Sequence, residues 1–309
     1  MKRNRLIFNH YMVENQYVIN FVDVGARGDI EAPWNLFPEE ALRVIGFEPD
    51  KEETVNLSNK FSNRKYYPHA LWGSCSQRKY YLNSWASTSS MYPPNKTNDQ
   101  YEEQHWAGRI IEKEVTVPCL TLDSIIDSED VPDFIKIDAH GAELEILKGS
   151  INLLTVNAPL VLVETWCAEI YKGIPQTHDI MRFMAKIGYQ VFDINVAAAW
   201  KHANRHKINI FCKSKTIGFD LLFVKRIDAL KDLTPKQFVK LVALCELYGF
   251  RDYSLFLLEN LEILHRNNTE EIRKILLSNN SNERSVWDMA RHLLSKVFCR
   301  NAKRYPALH

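Results

Sequence analysis

The sequence lacks the marks of several large classes of protein. Its 39 basic and 38 acidic residues leave a net charge of +1, so no overall positive field would recruit nucleic acid. No stretch reaches the ~18 uninterrupted apolar residues of a membrane span, and the basic N-terminus has no unbroken apolar core, so we expect no signal peptide. The six cysteines include no C-x-x-C pair, which indicates scattered, reduced thiols in a cytoplasmic protein.

The composition itself is that of a soluble globular protein, with 46% hydrophobic and 25% charged residues. A chain of 309 residues can bury a sizeable core and is long for one ordinary domain. We therefore expect one large domain or two unequal ones.

Residues 17–29, YVINFVDVGARGD, hold the first functional signal. The short apolar run is rich in β-branched residues and ends in glycines, which predicts a buried parallel strand followed by a turn. Gly25 and Gly28 would let the backbone of that turn approach a ligand closely. A second predicted strand, residues 43–47, ends at Glu48, where a carboxylate can accept hydrogen bonds from both hydroxyls of a ribose. These features together predict half of a nucleoside-cofactor domain.

The acids around the glycine turn favour one cofactor over another. A dinucleotide site needs G-x-G-x-x-G beside a pyrophosphate, whereas this turn lacks the third glycine and has Asp23 and Asp29 at its ends. Two carboxylates would repel a pyrophosphate but attract the ammonium and sulfonium groups of S-adenosylmethionine. We therefore predict S-adenosylmethionine as the cofactor and disfavour a nicotinamide oxidoreductase. The alternative is an ordinary strand and turn that bind no cofactor and contain glycines by chance.

Residues 132–149, PDFIKIDAHGAELEILKG, hold the second signal. A buried strand ends at Asp138, a turn follows, and a helix begins near residue 142. Asp138, His140 and Glu143 would therefore lie at the sheet edge that carries the glycine turn.

Other strands are predicted over residues 65–71, 160–165, 191–194 and 220–224, with a crossover helix over residues 34–42. Pro68 indicates that the strand at residues 65–71 lies at an edge or ends early. Short strands over residues 79–82 and 114–118 are expected to pair. The alternation from residue 17 to about residue 195 indicates an α/β fold with a doubly wound parallel sheet.

A long polar loop lies between the two short strands and is of the kind that forms lids and binding loops. Its aromatic residues Trp85, Tyr92, Tyr101 and Trp106 lie among hydroxyls and amides, an arrangement that suits a sugar. From this loop we select Trp85, Ser89 and Tyr92. Together with Glu164, they are the predicted substrate-binding residues. In the alternative interpretation, the loop aromatics anchor the loop onto the core.

Four blocks occur along the chain in a family-specific order: FVDVGARGD at residues 21–29, FEPD at 47–50, TLDS at 121–124 and KIDAHGAELEILKG at 136–149. In this order they resemble the FkbM family of S-adenosylmethionine-dependent methyltransferases. The resemblance covers roughly residues 17–225 and implies a class I methyltransferase fold, whose antiparallel last strand we assign to residues 220–224. It also implies methyl transfer to a hydroxyl, often on a sugar or polyketide-like product. His140 departs from the family pattern D-x-E-G-A-E, which has a glutamate at this position.

Methyl transfer from a sulfonium to an alcohol is an in-line displacement in which a general base removes the proton of the alcohol. His140 is the predicted base, and Asp138 would orient it or support it electrostatically. The predicted cofactor-binding residues are Asp23, Gly25, Gly28, Glu48 and Asp138.

Two alternatives concern the same residues. Asp138, His140 and Glu164 could bind a divalent metal ion that polarises a sugar diol, although their separation in sequence does not favour a metal site. His140 could also be a turn or capping residue without a chemical role.

The strand pattern ends near residue 228. We expect a methyltransferase domain over residues 1–228 and a helical C-terminal appendage over residues 229–309. The appendage could form a homo-oligomer, cover the acceptor cleft or bind a partner. Its tail is basic. The tail could contact an anionic membrane surface, or it could be only a solvated helix end. The tail's basic residues are Arg291, Lys296, Arg300, Lys303 and Arg304.

The sequence thus predicts a cytoplasmic S-adenosylmethionine-dependent O-methyltransferase. Its acceptor would be a small molecule or glycan, and we favour a sugar of a surface glycan or glycolipid precursor; no nucleic acid partner is expected. The alternative from another class is a non-catalytic module that keeps the methyltransferase fold and binds a glycan or a partner protein.

Overall fold

The structure is a computed structural model that describes residues 2–96, 100–127, 130–203, 213–261 and 269–277. The strands are β1 (Ile19–Val24), β2 (Leu42–Phe47), β3 (Lys65–Tyr67), β4 (Ala70–Leu71), β5 (Ser76–Asn83), β6 (Ile111–Leu120), β7 (Phe134–Ile137), β8 (Leu160–Trp166), β9 (Tyr189–Trp200) and β10 (Lys215–Lys225). The α-helices are α1 (Lys2–Glu14), α2 (Lys51–Lys60), α3 (Leu122–Ile125), α4 (Glu143–Lys148), α5 (Ile151–Val156), α6 (Thr177–Lys186), α7 (Pro235–Leu247), α8 (Arg251–Leu261) and α9 (Thr269–Leu277).

Seven strands form the main sheet in the order β3-β2-β1-β7-β8-β10-β9. The first five in this order are parallel, whereas β10 runs antiparallel to both β8 and β9. This confirms the predicted doubly wound sheet with an antiparallel strand at residues 220–224. β1 and β7 lie in the middle of the sheet with both faces covered, which is why their sequences are almost continuously apolar. The carboxyl ends of the parallel strands meet at one edge, as the site prediction requires.

One face of the main sheet is covered by helices from both ends of the chain. Phe134 of β7 belongs to the same hydrophobic cluster as residues of α1, Phe238 and Leu244 of α7, and residues of α8 and α9. Nζ of Lys240, in α7, lies 2.7 Å from Oδ2 of Asp133, directly before β7. The predicted helical C-terminal region is therefore present, and its first helix is part of the core. The boundary between residues 228 and 229 stays a prediction.

The opposite face packs against α4, α5, α6 and a second sheet. Leu71 of β4, Ile146 of α4, Leu154 of α5 and Met184 of α6 belong to one buried cluster with the inward side chains of the main sheet. The second sheet has three strands in the order β4-β6-β5, and the antiparallel pairing of β5 with β6 confirms the predicted pair of short strands.

The predicted crossover helix at residues 34–42 is wrong. The chain forms two short 3-10 turns there, Trp34–Leu36 and Glu39–Ala41, and β2 then begins at Leu42. Pro38 explains the break, because a residue before proline is disfavoured in the α region, and Phe37 is indeed extended with φ −85° and ψ 141°.

The predicted strand at residues 65–71 divides at Pro68 and His69. Its first part, β3, is an edge strand of the main sheet, as the proline indicated, and its second part, β4, joins the small sheet.

Residues 262–268 and 278–309 of the predicted appendage, including its basic tail, lie outside the described residues. Within the described ranges, no helix combines the length and the apolar character needed to cross a membrane.

Candidate functional site

A cavity of about 600 Å³ opens at the carboxyl ends of β1, β2 and β7. Its walls are the glycine turn after β1, residues 29–34, the strand ends at Glu48 and Asp138, and part of the loop at residues 86–91. The cavity continues along the sheet to Asn195 of β9 and Asp220 of β10, and Tyr248 after α7 also lines it. The size is that of a small-molecule or cofactor site.

The glycine turn is packed directly against the end of β7. The backbone N–H groups of Gly25 and Ala26 both donate to the carbonyl oxygen of Phe47, at 2.9 and 3.1 Å, which joins the turn to β2. Gly25 has φ +82°, and a Cβ at this position would overlap the carbonyl oxygen of Asp138. Glycine is therefore required here both by the backbone conformation and by the close approach of β7.

Glu48 lies at the end of β2, as predicted, and is 5% exposed. Its Oε1 accepts a hydrogen bond from the N–H of Asp50 at 2.9 Å and lies 3.5 Å from Nη2 of Arg27. Arg27 also donates to Oδ2 of Asp50 at 2.8 Å. Burial raises the pKa of Glu48 despite these favourable contacts. The carboxylate is held rigidly at the cavity wall, where it can face ribose hydroxyls.

Lys136 forms a bridge between two of the predicted cofactor carboxylates. Its Nζ lies 3.6 Å from Oδ1 of Asp23 and 3.4 Å from Oδ2 of Asp138. Burial opposes the charge of Lys136, but the two carboxylates outweigh it and raise its pKa. Burial also raises the pKa of Asp23, whose Oδ1 is buried and has no hydrogen-bond partner among the described residues. Apart from the Lys136 ammonium at 3.6 Å, this oxygen has no donor close to it among the described residues, so it keeps acceptor capacity for a donor on a ligand.

His140 is the centre of a carboxylate pair. Its Nδ1 lies 3.1 Å from Oε2 of Glu164 and 3.5 Å from Oδ1 of Asp138. Burial opposes a charge on the imidazole, but the Glu164 charge and the hydrogen bonds to both carboxylates raise the pKa of His140 well above its usual value. Burial and then the Asp138 charge raise the pKa of Glu164 to about 8. The cluster of Asp138, His140 and Glu164 therefore retains a proton above neutral pH.

The backbone of His140 is also special. Its φ of +48° lies in the left-handed region, and Oγ of Ser90 donates to its carbonyl oxygen at 2.6 Å. Glu143 folds back into the same turn, where its carboxylate accepts from the N–H groups of Ala139 and Gly141 at 2.9 to 3.0 Å. Glu143 thus holds the turn, and burial raises its pKa to about 7.

The ligand atoms of Asp138, His140 and Glu164 all lie within 4.8 Å of one another. Two carboxylates and an imidazole are donors that a divalent cation accepts. The fold has therefore brought together the three residues of the metal alternative, in spite of their separation in sequence.

The predicted substrate-binding residues are placed differently from one another. Ser89 lines the cavity, and its hydroxyl accepts from the N–H of Asn83 at 3.1 Å. Glu164 belongs to the site because its Oε2 contacts Nδ1 of His140, a residue of the cavity wall. Trp85 is 58% exposed, and Tyr92 packs against Trp72 with ring centroids 6.0 Å apart. The structure thus brings Ser89 and Glu164 to the site. Among the described residues that line the cavity, Trp85 and Tyr92 do not occur.

Two other loop aromatics, Tyr101 and Trp106, are buried in a third hydrophobic cluster with Trp166, Tyr171 and Trp200. The anchoring interpretation holds for these two residues.

The polar residues of the site that were missed at the sequence level include Arg27, Lys136, Asn195 and Asp220. Lys136 had a local signal, because a lysine two residues before Asp138 in a buried strand must lie on the same face. Asp220 and Asn195 had none, since they reach the site only through the pairing of β8, β10 and β9.

The model of a protein family described as the methyltransferase FkbM domain matches residues 23–191. Among solved structures, the chain is similar to methyltransferase FkbM from Methylobacillus flagellatus KT, at 16% identity and a TM-score of 0.38, covering 66% of this chain and 43% of that one. The chain thus spans less than half the length of that protein.

The chain is also similar to magnesium protoporphyrin IX methyltransferase from Synechocystis PCC 6803, solved with bound S-adenosylmethionine, at 9% identity and a TM-score of 0.36, covering 73% of this chain and 80% of that one. A TehB-like S-adenosylmethionine-dependent methyltransferase from Corynebacterium glutamicum is similar at 9% identity and a TM-score of 0.35, covering 71% of this chain and 88% of that one. No curated protein matches the chain.

Proposed function

The chain belongs to the FkbM methyltransferase domain family, and from that premise we propose that it transfers a methyl group from S-adenosylmethionine to a sugar hydroxyl of a surface glycan or glycolipid precursor. The observation that carries this proposal is that Asp138 and His140, with Glu164 in contact behind His140, line the cavity that also contains Gly25 and Glu48. A cofactor site and an acid–base group therefore share one cavity.

The residues present fit S-adenosylmethionine. The buried carboxylate of Asp23, whose Oδ1 has the Lys136 ammonium at 3.6 Å but no hydrogen bond among the described residues, suits the ammonium group of the methionine part. Glu48 suits the ribose hydroxyls, and the glycine turn leaves space for the chain of atoms between them. Bound there, the cofactor would supply an electrophilic methyl group on a cationic sulfur.

The protein would supply the proton transfer. Methylation of an acceptor hydroxyl would release its proton, and His140 is the residue that would accept it. Both carboxylates contact Nδ1, so an N–H at that atom leaves Nε2 as the basic nitrogen, in the manner of an imidazole oriented by a carboxylate. Since the pKa of His140 is raised, transfer should become faster as the pH rises above neutrality.

Calorimetric titration with S-adenosylmethionine and S-adenosylhomocysteine, beside NAD, tests the cofactor part of the proposal. We expect micromolar binding of the two adenosyl ligands and none of NAD. Asp23→Ala and Glu48→Ala should each abolish binding, whereas Asp193→Ala, an exposed aspartate of β9, should not.

Methyl transfer to sugars is then tested with a panel of glycans and the His140→Gln variant. We expect a loss of about 10²- to 10⁴-fold in kcat for a missing general base, with unchanged affinity for S-adenosylhomocysteine. Failure of well-folded protein to bind either adenosyl ligand would overturn the proposal and favour a non-catalytic binding module.

A further inference from the structure

The cavity is longer than the part that the cofactor residues occupy. Glu48 follows β2, Asp23 is in β1 and Asp138 follows β7, so these three residues span three neighbouring strands. The cavity continues past them to Asp220 of β10 and Asn195 of β9. Neighbouring strands lie about 4.8 Å apart, so β9 is roughly 14 Å beyond β7 in the sheet. This remaining part is available to an acceptor.

Strand register places four polar residues in one line across this part of the sheet. Ile137 of β7 is level with Val163 of β8, so the residues that follow them, Asp138 and Glu164, are level as well. Glu164 pairs with Asp220, and Asp220 pairs with Asn195. Paired residues on adjacent strands share a face. Asp138, Glu164, Asp220 and Asn195 therefore form a continuous row, which we call the polar row.

The polar row offers hydrogen-bonding groups at successive strands. Oδ2 of Asp220 accepts from Nδ2 of Asn195 at 3.3 Å, which leaves further acceptor and donor positions on both side chains. Leu162, Trp34 and Tyr248 line the same cavity with apolar surface. Hydroxyl-binding groups beside apolar surface suit the edges and faces of sugar rings.

The charge around the polar row is negative. Its three carboxylates have Asp23 and Glu31 as acidic neighbours in the cavity wall, whereas Lys136 and His140 are the cations in contact with this group. Asp220 has no cation in hydrogen-bonding contact among the described residues, and burial raises its pKa. The cations Arg27, Lys136 and His140 lie at the cofactor end of the cavity, so at the other end the Asp220 carboxylate would repel an anionic group placed beside it.

We propose that the polar row is the acceptor subsite and that it selects an uncharged glycan of at least two sugar rings. The hydroxyl to be methylated lies at His140, and the neighbouring ring contacts Asp220 and Asn195. A row that extends across four strands is longer than a single ring, and its charge excludes phosphorylated and carboxylated acceptors. This inference rests on the proposed function and adds the class of substrate.

A glycan array tests the subsite, using full-length protein saturated with S-adenosylhomocysteine and an array of uncharged, phosphorylated and uronic-acid-containing mono- and oligosaccharides. We expect binding to uncharged oligosaccharides in preference to their monosaccharides and to the anionic glycans. Asp220→Asn should weaken binding by about tenfold or more, and Asn195→Ala by about fivefold, from the loss of one hydrogen bond each. The Asp193→Asn variant is the matched control, since it removes the same charge from β9 at an exposed position and should bind as the wild type.

Affinity for S-adenosylhomocysteine is measured on each variant by calorimetry and should not change. A preference for anionic glycans, equal binding by the Asp220→Asn variant and the wild type, or no glycan binding by protein that does bind S-adenosylhomocysteine would overturn the inference while leaving the cofactor site intact. Failure of the wild type to bind S-adenosylhomocysteine would instead overturn the proposed function, and this inference with it.

Discussion

His140 changes the charge balance of the site at the level of a single residue. A glutamate at this position, as in the family pattern, would face two carboxylates, Asp138 and Glu164, that lie within hydrogen-bonding range of the histidine. An imidazole replaces this repulsion by attraction. The histidine also occupies a left-handed backbone conformation, which the hydrogen bond from Ser90 and the clamp by Glu143 hold in place.

The pKa of His140 should be measurably raised. We expect its imidazole signals in an NMR titration to report a pKa well above 6.5, and Glu164→Gln to lower it by about 1 to 3 units because an opposite charge is removed. His140→Gln assigns the signals. A pKa for His140 at or below 6.5 would contradict the arrangement.

Stability should depend on pH through the same residues. The folded pKa of His140 is raised, so its stabilising effect is complete below its unfolded pKa and is lost as the pH rises through the folded one. Burial raises the pKa of Glu164 from 4.5 to about 8, so this residue also lowers the free energy of unfolding as the pH rises from about 4.5 to about 8, because the unfolded chain has already lost that proton. The free energy of unfolding should therefore fall between about pH 6.5 and about pH 8, by at most about 1.4 kcal/mol per pH unit for each proton.

Urea unfolding of the wild type and of the His140→Gln, Glu164→Gln double variant measures this slope. The difference between the two proteins isolates the pair, because Glu143, whose pKa burial raises to about 7, contributes a slope of the same sign below about that pH. Parallel curves for the two proteins over this interval would rule out the expected linkage.

Gly25 should be far less tolerant of alanine than a glycine with the same backbone conformation elsewhere. Gly173 has φ +76° with open space around it, whereas a Cβ at Gly25 would overlap the backbone of Asp138. Gly173→Ala should cost about 1–2 kcal/mol of stability from the left-handed conformation alone and leave affinity for S-adenosylhomocysteine unchanged. Gly25→Ala should cost more stability than Gly173→Ala. It should also weaken the affinity for S-adenosylhomocysteine at least about tenfold, because moving the turn away from β7 would misplace the groups of the cofactor site. Equal effects of the two substitutions on unfolding and binding would show that the turn can move away from β7.

At the scale of elements, α7 is fixed to the sheet by a buried ion pair. Lys240 and Asp133 have side chains that are 10% and 3% exposed. Lys240→Met would leave Asp133 buried without its cation, and we expect a loss of about 3–5 kcal/mol in the free energy of unfolding. Urea denaturation measures it.

Lys79→Met is the matched control, since the ion pair of Lys79 with Glu114 has side chains 68% and 51% exposed and should contribute little. The double variant Lys240→Met, Asp133→Leu should recover part of the loss, because it removes the unpaired charge. A small loss for Lys240→Met alone would mean that water reaches Asp133 once the lysine is absent.

At the scale of the whole molecule, the C-terminal helices complete the core of the methyltransferase fold. Tyr248 stacks on Phe134 of β7 with ring centroids 5.4 Å apart, and its hydroxyl accepts from Nε1 of Trp34 at 3.1 Å. A chain of residues 1–228 would keep α1 on this face of the sheet but would lose the cover that α7, α8 and α9 provide. We expect that chain to bind the dye ANS and to lack a cooperative unfolding transition, as partly folded proteins do.

A chain of residues 1–277 is the comparison, because it retains α7, α8 and α9, and it should unfold cooperatively. Cooperative unfolding of the shorter chain, with an unchanged midpoint, would instead support a domain boundary at residues 228 and 229.

Much of the site could be predicted from local sequence. A buried strand that ends in a glycine or an acid is recognisable from a few residues, and parallel strands must place their carboxyl ends at one edge of a sheet. For this reason Gly25, Glu48, Asp138 and His140 were all expected near one another, and all of them line one cavity. The spacing of apolar residues likewise predicted the last strand and the helical C-terminal region.

Other features required contacts between distant parts of the chain. Whether an aromatic side chain of a long loop binds a ligand or fills a core depends on what it packs against, and Tyr101 and Trp106 pack against Trp200, almost a hundred residues later. Local propensity was also misleading at residues 34–42, where Pro38 prevents the helix that the surrounding residues favour.

The sequence by itself determined the strands, the glycine turn, the acids at the strand ends and hence the class of cofactor, because each of these depends on a few consecutive residues. Only the tertiary structure decided that Lys136 bridges Asp23 and Asp138, that α7 belongs to the core, and that Asp220 and Asn195 extend the site. These depend on strand order and register, which are set by packing between segments far apart in the chain and leave no local pattern.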